Sequence, residues 1–156
     1  MGRRIFWLVV IGGIAYWLYS HRGSTAGGSS SGSAASPTSY NRDCLMLAEQ
    51  ANRGLHDAAM LLSKMPVDAS AWNSAESNVS GKISEAESKC SSPANDTERA
   101  YQEEVKAALQ IMRTSLSGFS SASRGAGGAI DAAQLQEQID QHLDRARSLV
   151  GLPAGP

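Results

Sequence analysis

From Asp43 onward the apolar residues recur at intervals of three and four, and this period constrains the fold more than any other feature of the chain. Cys44, Ala48, Ala51, Leu55, Ala58, Leu62 and Met65 fall on one side of a helix, as side chains spaced this way do at 3.6 residues per turn. Pro66 ends the stripe, because its ring removes an N–H and disfavours helix at the residue before it. A second stripe runs Trp72, Ala75, Val79, Ile83, Ala86 and Cys90, with Asp68 or Ser70 placed to cap its start. Ser92-Pro93 then breaks the chain, and Asn95, three residues before Glu98, offers a new helix start. The third stripe is Tyr101, Val105, Ala108, Met112, Leu116 and Phe119, and it gives way to the glycine-rich stretch Ser121 to Gly128. The fourth is Leu135, Ile139, Leu143, Ala146 and Val150, followed by Gly151 and Pro153 as stop signals. Alternation is missing and β-branched residues are few, so strands are not expected. Four helices with short connections predict an all-α domain over residues 42–151, an antiparallel bundle of two helical hairpins with residues 152–156 as a tail. Two long hairpins that splay apart are the alternative.

The core this pattern offers is thin. Much of it is alanine, each burying little area, and the second helix carries Ser74, Ser77, Ser80, Gly81, Ser84 and Ser88, all poor helix formers. Cys44 opens the first helix and Cys90 closes the second. In an antiparallel hairpin that turns near Pro66 to Ser70, both cysteines lie at the open end on the inward stripes. A disulfide there closes a loop of about 47 residues, worth on the order of 4 kcal/mol from chain entropy. Two separate buried thiols acting as small hydrophobes are the plainer possibility.

The amino-terminal part of the chain is organised differently. Residues Ile5 to Tyr19 carry no charge, with Arg3-Arg4 before them and His21-Arg22 after. As a helix this run rises about 22 Å, short of the roughly 30 Å hydrocarbon core. Its aromatics cluster at both ends, Phe6 and Trp7 at one, Tyr16, Trp17 and Tyr19 at the other. Rings so placed suit the two headgroup layers. The expectation is a retained single-pass anchor over residues 1–22, flanked by Arg3, Arg4, Trp7, Trp17 and Arg22, with its amino terminus cytoplasmic. A signal peptide cut after Ala26 is the alternative. Residues 23–41, almost wholly Gly, Ser, Ala and Thr, cannot bury enough apolar surface to order themselves and read as a flexible linker. Such a coil spans about 23 Å on average.

All 15 acidic residues lie between Asp43 and Asp144, against ten basic residues from Asp43 onward, leaving that region with a net charge of −5. This sign excludes the basic footprint of a nucleic-acid-binding domain and disfavours docking of the bundle on an anionic bilayer. None of the common nucleophile, zinc, haem-attachment or phosphate-loop motifs is present. Glu103-Glu104 and the pair Asp140 and Asp144 read as solvated helix faces rather than acid/base pairs, and His56 as solvent-facing. Cys44 and Cys90 are too far apart in sequence, with no histidine beside them, to make a zinc site. Met46 and His142 lie near one end of the expected bundle, positions at which four-helix b-type cytochromes hold haem with Met and His. That analogy rests on position alone. Asn78-Val79-Ser80 and Asn95-Asp96-Thr97 match the N-glycosylation acceptor pattern.

The combination of anchor, linker and small acidic bundle without catalytic residues predicts a non-enzymatic interaction module. It would sit in the inner (cytoplasmic) membrane of a bacterial envelope, bundle facing the periplasm or the cell exterior, and bind another envelope protein in a scaffold, assembly or neutralising role. No cofactor or metal is expected. A small-ligand or haem carrier is the alternative from another class.

Overall fold

A computed structural model describes residues 40–64, 66–126 and 131–155. The expected anchor with its flanks Arg3, Arg4, Trp7, Trp17 and Arg22, and the linker before Tyr40, lie outside the described residues. The rest is all-helical: α1 Arg42–Leu62, α2 Ala69–Lys89, α3 Asp96–Ser123 and α4 Ala132–Leu149. No strand occurs among the described residues, and no helix there is long and apolar enough to cross a membrane.

Local chemistry accounts for the boundaries. Asp68 caps α2, its Oδ1 accepting from Ser70 N at 2.8 Å and Ala71 N at 3.0 Å. Asn95 caps α3 by accepting from Glu98 N at 2.8 Å, and Asp131 caps α4 by accepting from Gln134 N at 3.0 Å. The first helix stops at Leu62 rather than reaching Met65. Leu62 is the residue whose carbonyl a helical Pro66 would have to meet, with a ring in place of an N–H. At the other ends of α3 and α4, glycine in the left-handed region turns the chain. Gly125 has φ 76° and Gly151 φ 72°, while Ala126 N donates to Ser121 O and Leu152 N to Arg147 O across them.

The stripes meet as two antiparallel hairpins, α1–α2 and α3–α4, packed together rather than splayed. At 28 residues, about 42 Å, α3 is the longest helix and packs against all three others. Tyr101, Ile83, Leu109, Met112 and Ile139 are the largest side chains shut from solvent. Around them Ala48, Ala51, Ala58, Ala86, Ala108 and Ala146 are fully buried. Close approach compensates for the small side chains: at Gly54 a Cβ would stand 3.0 Å from Val79 Cγ2.

Leu109→Ala should lower the unfolding free energy by about 2–5 kcal/mol. Met46→Ala, at a side chain 47% exposed, should change it by less than about 0.5 kcal/mol. Denaturant unfolding of the two variants checks both.

Candidate functional site

A dense polar constellation gathers where the chain enters α1. Cys44 and Cys90 are joined, with Cα atoms 4.9 Å apart and both residues fully buried. The bond fastens the first turn of α1 to the residue that caps the end of α2. Beside it, Asn41 commits every polar group it has. Its Oδ1 accepts from Asp43 N at 3.1 Å, capping α1. Its Nδ2 donates to Lys89 O at 2.7 Å, satisfying a terminal carbonyl of α2. Its backbone N donates to Glu98 Oε1 at 3.1 Å, and its carbonyl accepts from the Tyr101 hydroxyl at 2.9 Å.

Tyr101 does something unusual to α1. A helix ordinarily closes its first turn with a bond from the fourth helical N–H to the N-cap carbonyl. The other three helices do so: Trp72 N to Asp68 O, Arg99 N to Asn95 O and Leu135 N to Asp131 O, at 2.9, 2.9 and 3.1 Å. In α1 the Tyr101 hydroxyl stands between the two groups, accepting from Leu45 N at 3.0 Å while it donates to Asn41 O. Burial pushes this hydroxyl well above its ordinary 10.0, so it stays protonated and remains a donor. Tyr40 meets its ring edge-on at 5.4 Å, with the Arg42 guanidinium over the Tyr40 ring at 5.9 Å.

Glu98 completes the knot. It is 8% exposed, and its second oxygen accepts from Ala94 N at 2.8 Å. One carboxylate thus serves the chain entering both α1 and α3, reaching Ala94 one residue before the Asn95 cap. Gln102 lies alongside, 2% exposed, with Nε2 at 3.5 Å from Glu98 Oε1. Its own Oε1 is buried without a partner, an orphan that costs about 1–3 kcal/mol.

A second polar seam joins α4 to its neighbours, where solvated faces were expected. Glu103 is exposed, but Glu104 is partly buried and takes His142 Nδ1 at 2.6 Å and Arg145 Nε at 3.5 Å on the same oxygen. Asp140 accepts from Asn52 Nδ2 at 3.2 Å and Gln136 Nε2 at 3.0 Å. Burial raises the Asp140 carboxyl above its ordinary 3.8 even though those two bonds pull it down. Asp144 pairs with Arg147. These carboxylates are structural acceptors, and His56 is partly buried on α1.

Of the two residues singled out for haem, His142 is engaged by Glu104 and Met46 is exposed on α1. The interior between the helices is taken by Tyr101, Leu109, Met112 and Ile139. Among the described residues no group of three or more His, Cys, Asp and Glu side chains is placed to hold a metal. Asn78 is exposed on α2, and Asn95, also exposed, uses its side-chain oxygen as the α3 cap. The sequence marked the cysteines and the Asn95–Glu98 pair. It gave less sign of Asn41, placed with the linker, or of the Tyr101 hydroxyl, although an Asn two residues before Asp43 carries an N-cap signal.

Tyr101→Phe should cost about 1–3 kcal/mol in denaturant unfolding. The unfolded chain ionises this group near 10.0 and the folded chain only later. Its stabilisation is therefore complete below that pH and is lost as pH rises above it, and the Phe variant should lose that alkaline slope. Cys44→Ser or Cys90→Ser should lower stability on the order of 4 kcal/mol, with full reduction of the wild type giving a similar loss; equal melts with and without reductant would refute this. No protein-family model, curated protein or solved structure matches the chain.

Proposed function

We propose that the chain is a single-pass, N-terminally anchored interaction module whose bundle works outside the cytoplasm by binding another envelope protein. The role is scaffolding, assembly or neutralisation of that partner rather than catalysis. The observation that carries the reading is the buried Cys44–Cys90 disulfide, since such bonds form and persist in oxidising compartments. The sequence adds the uncharged run between basic flanks and the Gly/Ser-rich linker. The linker suits a domain that searches a volume beside the membrane. In the domain Glu104 of α3 binds His142 and Arg145 of α4, and Asp140 of α4 binds Asn52 of α1, so these groups serve to hold helices together. None of these pairs includes a nucleophilic side chain, which favours binding over catalysis.

The full chain should stay with the bilayer on alkaline extraction, and protease should reach the bundle only from the extracytoplasmic side. Mild crosslinking of intact membranes should return one reproducible envelope protein with it. Release of the chain by alkali, digestion from the cytoplasmic side only, or no specific crosslinked species would each refute the reading at that step.

A further inference from the structure

The segment that follows α4 does not leave the bundle. After the turn at Gly151 it folds back along the helix, and Gly155 N donates to Asp144 Oδ1 at 3.0 Å. There the backbone lies against the Arg147 guanidinium. A Cβ on residue 155 would stand 1.9 Å from Nη1, 2.6 Å from Cζ and 2.8 Å from Nη2. A methyl group at that position must therefore push the guanidinium aside. The guanidinium is not free to move without loss, because Nη1 donates to Asp144 at 2.7 Å and both Nε and Nη2 donate to Glu49 Oε1, at 3.1 and 2.9 Å. Glu49 belongs to α1, and the Arg147 side chain is only 16% exposed.

This bridge matters because of what α4 lacks. The knot around Asn41 holds α1, α2 and α3 together through Lys89 O, Glu98, Tyr101 and the disulfide. No residue of α4 takes part in it. The polar hold of α4 on α1 consists of the Arg147–Glu49 pair and the bonds of Asn52 with Gln136 and Asp140, while its hairpin partner α3 holds it separately through Glu104, bonded to His142 and Arg145. Covering an ion pair from water strengthens it, since the local dielectric falls.

We propose that Leu152–Gly155 is a latch: seated on Arg147 it locks α4 against α1, and when it lifts, α4 is the helix that opens while the other three stay fastened. The proposal does not depend on membrane attachment or on a partner.

Hydrogen exchange resolved by helix, together with the rate at which phenylglyoxal modifies Arg147, tests it on the full chain. Gly155→Ala, Gly155→Leu and a chain ending at Gly151 should each speed exchange of the α4 amides about tenfold. Arg147 modification should accelerate in step, and α2 exchange should stay at the wild-type rate. Glu49→Gln, with the latch intact, should loosen α4 in the same way. Unchanged α4 exchange in the Gly155 variants would overturn the latch. So would acceleration of all four helices together, which would make the segment a general support for the fold. Should the leucine variant fail to fold, the alanine variant and the shortened chain decide between these outcomes.

Discussion

The first backbone bond of α1 runs through a side chain of another helix. With the Tyr101 hydroxyl seated between Leu45 N and Asn41 O, the start of α1 as folded is closed by α3. The neighbouring bonds extend the dependence. Asn41 Nδ2 requires the end of α2, its backbone N requires Glu98, and Cys44 is joined to Cys90. Helix initiation, the costly part of helix formation, is in this way shared among three elements. The open end of the first hairpin is thus bonded to the start of α3, which opposes splaying alongside the shared apolar core.

The sharing offsets a weak inventory of apolar side chains. Six of the fully buried core positions are alanines, and α2 exposes a long face of serine and asparagine that does little for helix propensity. Both ends of α2 are nonetheless tied, by Asp68 at its start and by Asn41 and the disulfide at its finish. Its Trp72, 3% exposed, satisfies its indole N–H internally through Glu76 Oε2 at 3.2 Å. A small domain with little to bury is held by fixing its ends.

What the residues disclosed in advance has a common character, and so does what they withheld. The four stripes, the stop imposed by Pro66, the Asn95 cap and the pairing of Cys44 with Cys90 all follow from spacing within one helix or from the symmetry of one hairpin. Asn41, Glu104, Asp140 and Gly155 were read as linker, solvated face and tail. For the first three the partners lie far along the chain: 60 residues separate Tyr101 from Asn41, 38 separate Glu104 from His142, and 88 separate Asn52 from Asp140. A polar residue that finds its partner across the fold leaves no periodic trace, and on a helical wheel it looks like one that faces water. The left-handed glycines 125 and 151 were legible because a turn asks for glycine locally; Gly155 was not, because its constraint comes from a guanidinium eight residues earlier in the chain.

The place at which Asn41 is bound also fixes how the domain takes a mechanical load. Tension arriving along the residues before Tyr40 reaches Asn41 first, where bonds to α2 and α3 spread it sideways, and three residues later it meets a covalent sulfur bridge. Peeling α1 away turn by turn is blocked at the outset, because the force has passed into α2 before it can travel along α1. Under such a load the bundle would move as a solid body.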